Sequence, residues 1–203
     1  MKYLHHIFLF IFLIIICSLS AQDKVRFSDG KELKCKVQGV TDTTVWVYQK
    51  GERKTKEAII SNKDVFSVVY GDSNEVVIYK PDPSDAKAFT VLQMKSYVEG
   101  ASFARRNYSS CLATSTAFVV GAGGGILGFW GFLPVLVYDL VVSSYQIHPK
   151  SRKKEPVPAV VDDFFMYGFR DVAQKKKAIH VIASSLAGIA TGAIYTYILL
   201  SPK

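Results

Sequence analysis

Few residues in this chain have the types and spacing that enzyme chemistry requires. The sequence contains four histidines and three cysteines, and no C-x-x-C or other metal-ligand spacing occurs among them. No Ser/His/Asp, Cys/His or paired-carboxylate arrangement stands out. We therefore expect no catalytic residue, no metal site and no cofactor, and we interpret the protein as a non-enzyme.

One literal nucleotide-binding motif is present, because Gly123, Gly125 and Gly128 form G-x-G-x-x-G. A dinucleotide fingerprint also requires a preceding strand and an acidic residue about 20 positions further on. These glycines instead lie inside an apolar run, and position 148 is His. Small residues at every fourth position are typical of packed membrane helices. We predict helix-packing residues on two such ridges: Ala117, Gly121 and Gly125 on the first, and Gly188 and Gly192 on the second.

Two segments are apolar enough to enter a membrane. Residues 107–138 and 178–202 carry no formal charge, and about 20 apolar residues suffice to cross a bilayer. We define a Gly-rich membrane segment over 111–145 and a second transmembrane helix over 178–203. The first segment is interpreted as one kinked span from about 112 to 133, with a re-entrant hairpin over 112–146 as the alternative. With a single crossing, the two spans are antiparallel neighbours and their small-residue ridges meet.

The region between these segments, residues 146–177, is a basic loop followed by an interfacial helix. It holds eight basic and four acidic side chains. Such an excess is a topology signal and also suits anionic headgroups. The candidate lipid-headgroup residues are Lys153, Lys154, Lys175, Lys176 and Lys177. The acidic Asp139 is interpreted as marking the interface where the first span ends.

The N-terminus has the pattern of a secretory signal peptide. A basic Lys2 precedes the unbroken apolar run Ile7–Cys17, and the small residues Ser18–Ala21 follow. This order of regions is that of a cleavable signal, so residues 1–21 are predicted to be removed after Ala21.

Residues 22–83 have the pattern of a small β domain. Five or six short segments rich in β-branched and aromatic residues are joined by turns such as Asp29-Gly30, which favours a hairpin. This spacing predicts an SH3-like or Sm-like small barrel. Its 11 basic and 10 acidic side chains nearly balance, so we expect no nucleic-acid binding. The aromatic residues Trp46, Tyr48 and Tyr70 are candidates for a peptide-binding patch, or for core and rim.

Residues 84–110 are predicted to form a linker or amphipathic helix between the β domain and the membrane segments. A loose internal echo is also visible. Tyr97 and Gly100 precede a basic pair and the first apolar segment, while Tyr167 and Gly168 precede the lysine run and the second. The spacings differ by a residue or more, so the echo is only a hint of duplication.

The whole arrangement resembles uncharacterised bacterial envelope proteins. The matching residues are Ser20–Asp23, Asp29-Gly30-Lys31 and Lys63-Asp64-Val65-Phe66, followed by the Gly-rich apolar segments. The resemblance implies no activity and supplies no catalytic residue.

We predict an α+β membrane protein with an N-terminal small β barrel, a linker helix and two transmembrane helices. The expected function is that of a membrane-anchored envelope protein, with the inner membrane favoured and the β domain in the periplasm as an interaction or scaffolding module. The alternative is a membrane-active oligomer, such as a small channel or transport accessory. The expected partners are membrane lipids and either another protein or a second copy of the chain.

Overall fold

The fold is seen in a computed structural model of the chain. The structure describes residues 22–50, 55–72, 74–85, 88–149 and 161–200. The predicted signal segment, Lys153 and Lys154 lie outside these ranges. The chain divides into two compact units, Met1–Val91 and Leu92–Lys203. The protein is thus an α+β protein, with a six-stranded antiparallel sheet followed in sequence by helices.

The first unit is built on one antiparallel sheet with the strand order β4-β3-β2-β1-β5-β6. Its strands are β1 Asp23–Phe27, β2 Glu32–Val40, β3 Thr44–Lys50, β4 Thr55–Ser61, β5 Val65–Val69 and β6 Glu75–Val77. Alternate side chains of a strand point to opposite faces, and a cluster of apolar side chains is buried on one face of the sheet. The buried core consists of Val25, Cys35, Val45, Val47, Val65 and Val68. Gly30 has a φ of 78°, which permits the tight turn between β1 and β2.

The sheet is open rather than closed. Among the described strands, β4 pairs only with β3 and β6 pairs only with β5. Closing a barrel requires the two outer strands to pair with each other, and β6 is only three residues long. The closure expected of a small barrel is therefore not seen, although six strands form where five or six were predicted.

The second unit consists of four α-helices and one short 3₁₀ turn in its described part. The helices are α1 Val91–Asn107, α2 Cys111–Ile126, α3 Phe132–Ser144 and α4 Asp163–Leu200, with the 3₁₀ turn at Gly128–Gly131. Gly128 has a φ of 64°, a value that ends α2 and lets the chain reverse into α3. The predicted linker helix begins at Val91 rather than at Ser84, whose hydroxyl and backbone N–H instead bond to Asp82.

One described helix is long and apolar enough to cross a membrane on its own, and it is Asp163–Leu199 within α4. Helices α1 and α2 pass the same test only when taken together across a bend of 60°. Near the start of α4, an aromatic core joins it to α1 through Phe103, Phe165 and Phe169.

Helices α2 and α4 run parallel, which contradicts the antiparallel arrangement expected from a single crossing. Gly121 faces Ser185 and Gly125 faces Ile189, so the two chains advance in the same direction. Helix α3 runs antiparallel to both, since the chain reverses between Gly124 and Gly131, whose backbones touch. The residues after α3 therefore return to the end where α2 begins.

Candidate functional site

Four glycines bring the backbones of α2 and α4 into direct contact. A Cβ atom added to any of them would overlap a main-chain carbonyl oxygen of the facing helix: Ser185 for Gly121, Ile189 for Gly125, Phe118 for Gly188 and Ala122 for Gly192. The fifth residue of the predicted ridges, Ala117, is fully buried. Only residues without a side chain, or with a very small one, permit this approach of two helices.

The same contact recurs between α1 and α4. A Cβ on Gly100 would overlap the carbonyl oxygen of Phe165, and a Cβ on Gly168 would overlap that of Tyr97. There are six such contacts, four between α2 and α4 and two between α1 and α4. In each, the overlapped carbonyl oxygen belongs to the residue three positions before the glycine that faces it from the other helix. The echo noted around Tyr97 and Tyr167 thus lies at one contact, where the two rings are 5.7 Å apart and the Tyr97 hydroxyl donates to Asp171.

The three described lysines of the predicted headgroup cluster have different surroundings. Lys175 is exposed and pairs with Asp171 at 2.9 Å. Lys176 donates to the carbonyl oxygens of Arg105 and Tyr108 at 3.4 and 3.1 Å, at the end of α1, where helix carbonyl groups have no partner within the helix. Lys177 is only 5% exposed and donates to the carbonyl oxygen of Tyr145 at 3.0 Å. The cluster is therefore not one uniform basic surface.

A partly buried carboxylate, that of Asp139, lies at the contact between α3 and α4. The Ser185 hydroxyl, itself 1% exposed, donates to Asp139 Oδ2 at 2.8 Å. The second oxygen, Oδ1, is buried and has no hydrogen-bond partner among the described residues. Ser185 lies eight residues beyond Lys177, about 12 Å along the helix at 1.5 Å per residue. Asp139, on α3, thus lies beside the apolar part of α4 rather than beside its charged residues.

Further polar contacts lie beside this carboxylate. The Ser184 hydroxyl donates to the Thr114 carbonyl oxygen at 2.8 Å, and the hydroxyls of Thr116 and Tyr138 bond to each other. These contacts were not predicted from the sequence, because helical spacing shows which residues share a face and does not show which helix that face meets.

The outer face of the sheet carries an exposed apolar pair. Trp46 on β3 is 43% exposed, and its cross-strand partner Ile59 on β4 is 60% exposed. On the other side of Trp46 stands Gly39 of β2, which has open space where a Cβ would lie. Because β4 is the outermost strand, this pair borders an open backbone edge.

The aromatic residues proposed as a peptide patch divide between the two faces. Tyr48 lies on the outer face with Trp46, and its hydroxyl donates to Glu57 at 2.6 Å, a hydrogen bond that raises the pKa of Tyr48. Tyr70 packs against the buried core instead. The outer-face patch therefore consists of Trp46, Tyr48 and Ile59, and the exposed Ile59 was not among the residues predicted for it.

The reactive side chains are few in the part of the chain that the structure describes. No group of three or more His, Cys, Asp or Glu residues there is placed to hold a metal ion. Burial raises the pKa of the Cys35 thiol, with a smaller contribution from the nearby Asp23 carboxylate. Cys111 is exposed. No family model, curated protein or solved structure matches the chain.

Proposed function

We propose that the protein is a non-enzymatic, membrane-anchored module of the bacterial envelope that binds an extended segment of another protein. The observation that carries this proposal is the exposed Trp46–Ile59 pair beside the open edge of β4. An outermost strand presents unpaired N–H and C=O groups to an incoming strand. Added strands gain affinity from main-chain hydrogen bonds and specificity from alternate side chains, and Trp46 and Ile59 offer an apolar surface to such side chains.

The helical unit suits the role of the anchor. From Lys177 to Tyr195 is about 27 Å along α4 at 1.5 Å per residue, close to the roughly 30 Å hydrocarbon thickness of a bilayer. Between them, Ile179, Leu186 and Ile194 are each more than half exposed. A helix with charged residues at one end, aromatic residues at the other and exposed apolar residues between them has the order of a membrane-crossing helix.

The segment over 111–145 is then best interpreted as the re-entrant hairpin, the alternative kept in the sequence analysis. Helix α2 is 16 residues long and α3 is 13, or about 24 and 20 Å. Each is shorter than the hydrocarbon layer, and α3 returns to the end where α2 begins. At the hairpin tip, Phe129 and Trp130 are 81% and 74% exposed, which suits insertion of the tip among lipids.

Export remains part of the proposal on the strength of the N-terminal pattern and the envelope resemblance. The apolar run followed by Ser18–Ala21 has the order of a cleaved signal. A mature N-terminus at Gln22, found by intact mass of the membrane-purified protein, supports it. Retention of Met1 counts against it.

Photocrosslinking from position 59 in native membranes tests the partner-binding surface. A photoreactive residue replacing Ile59 is expected to give one dominant adduct, and the adduct should be lost when Trp46→Ala is added to the same chain. The matched control places the same residue at Lys34, which is also exposed but lies on β2, away from the open edge. Equal adducts from positions 34 and 59, or an adduct unchanged by Trp46→Ala, would contradict the proposal.

A second candidate function, a membrane-active oligomer, is favoured by Asp139. A carboxylate with one buried oxygen that lacks a described partner is costly inside an apolar bundle, and intramembrane acids often serve proton or ion pathways. Cation or proton flux into liposomes that contain the full chain, lost in Asp139→Asn and kept in the exposed control Asp163→Asn, would support this function. Absence of flux from the wild-type protein would exclude it.

A further inference from the structure

A cavity of about 540 Å³ opens where four parts of the helical unit meet. Its walls come from the end of α1, the start of α2, the chain just after α3 and the first half of α4. The residues that matter for its chemistry are Lys177, His148 and the first turn of α2, with Phe103, Phe169 and Leu112 as apolar walls. No Asp or Glu of the described residues lines it.

Lys177 gives this cavity a buried positive charge. The side chain is only 5% exposed and donates to one neutral acceptor, the Tyr145 carbonyl oxygen. No described carboxylate pairs with it. A buried ammonium group without a counter-ion is costly, so an anion in the adjoining cavity stabilises the arrangement.

The start of α2 supplies a second, independent attraction for an anion. The first N–H groups of a helix lack partners within the helix, and the helix dipole is positive there. Ser110 precedes α2 without capping it, and the first turn has no acidic residue. The Ser110 hydroxyl bonds instead to His180 Nδ1 at 2.9 Å and to Thr114 Oγ1 at 3.2 Å. Cys111, Leu112 and Ala113 of this turn line the same cavity as Lys177.

We propose that this cavity binds a phosphate group, either that of a lipid headgroup or free phosphate. The ammonium group of Lys177 and the first turn of α2 recognise the charge, as is usual for phosphate sites at helix N-termini. The apolar walls fit the glycerol and acyl carbons that follow a headgroup phosphate. The site is separate from the sheet surface of the proposed function, so either proposal can fail without the other.

Thermal stability of the full chain in mild detergent tests the site. The melting temperature is followed during titration with phosphatidylglycerol in one arm and with inorganic phosphate in the other, since a ligand of the folded state raises it. A rise with the lipid alone assigns a headgroup, and a rise with both, together with competition between them, assigns the phosphate itself. A melting temperature that changes with neither overturns the proposal.

Three variants separate a specific site from general basic charge. Lys177→Gln is expected to weaken binding about tenfold or more, because a hydrogen bond to a charged group is lost, while Lys177→Arg keeps most of the affinity. The matched control Lys175→Gln, in the same lysine run but exposed and paired with Asp171, should change affinity by less than about twofold. Equal losses in Lys175→Gln and Lys177→Gln would overturn the proposal.

A further variant guards against misfolding as the cause of lost binding. Cys111→Asp places a carboxylate in the first turn of α2, where a negative charge favours the helix and repels an anion in the cavity. Because Cys111 is exposed, the fold should tolerate it. We expect binding to fall about tenfold with no drop in the melting temperature without ligand. Full binding by this variant would contradict an anion at the start of α2.

Discussion

The glycine contact between α2 and α4 can be tested by adding a single methyl group. Gly121→Ala places a Cβ where it would overlap the main-chain carbonyl oxygen of Ser185. That oxygen belongs to the helix backbone, so it cannot rotate away as a flexible side chain would. The two helices must therefore separate, and the contacts on both sides of position 121 weaken.

The size of the effect follows from two opposing contributions. Overpacking a tight contact costs about 1–3 kcal/mol, and alanine gains up to about 1 kcal/mol over glycine in helix propensity. The clash at Gly121 is with rigid backbone, so we take the upper part of the range and expect a net loss of about 1–2 kcal/mol in the free energy of unfolding. Gly123 lies on the same helix with open space where its Cβ would lie, so Gly123→Ala should stabilise by up to about 1 kcal/mol.

Sodium dodecyl sulfate titration of the protein in mixed micelles measures this difference. Trp130 fluorescence, in a background where Trp46 is replaced by Phe, reports on the helical unit alone. Gly121→Ala and Gly123→Ala should differ by about 2–3 kcal/mol in the free energy of unfolding. Equal shifts for the two variants would refute the parallel α2–α4 contact.

Three other predictions concern the remaining sites. In a Cys111→Ser background, cysteine probes replacing Thr43 and Ser151 should react with a membrane-impermeant reagent from the same side of the membrane, because a re-entrant hairpin makes no net crossing between them. Labelling from opposite sides would restore the single crossing first expected. Burial raises the pKa of the Cys35 thiol, so a smaller fraction of it is thiolate at pH 8 than in a free cysteine. Iodoacetamide should therefore modify Cys35 far more slowly than a free cysteine at pH 8 until denaturant is added. Rapid modification of the folded protein would place Cys35 outside the core. Asp139→Leu should leave the free energy of unfolding within about 1 kcal/mol of the wild-type value or raise it, since the substitution removes a buried oxygen that lacks a described partner. A loss of several kcal/mol would show that this carboxylate is fully paired.

The strands were predictable because their information is local. Alternation around Leu33, Cys35 and Val37, and the Asp29-Gly30 turn, appear in the sequence as they do in the sheet. Closure of the sheet was not predictable in this way, because it depends on whether the two outer strands meet. The short β6 pairs only with β5 among the described strands, and no local pattern reveals that.

The helical unit shows the same limit more clearly. Spacing identified which residues form the small-residue ridges, and those glycines do lie at the α2–α4 contact. The predicted antiparallel direction was wrong, because it was inferred from a single crossing, and a four-residue period, being the same read in either direction, could not correct it. The signal that could have corrected it is Gly128, whose position after α2 permits a chain reversal. The contact of Lys177 with the Tyr145 carbonyl oxygen and that of Asp139 with Ser185 depend on that reversal, so they were also missed.

Through the six glycine contacts, α4 packs in parallel against α1 and α2 taken together. The two partners contribute equivalent glycines to the contact, as the two chains of a symmetric dimer do. What joins them into one molecule, beyond the packing, is the connection of 18 residues between α3 and α4. A short connection holds its ends at an effective concentration on the order of millimolar. Cutting it would turn the pairing into association of two separate chains, so fragments 1–155 and 156–203 should reassemble when they are co-expressed. At protein densities in the membrane above that effective concentration, α4 of one copy would compete for the α1–α2 pair of its neighbour, and crowding alone would exchange helices between molecules.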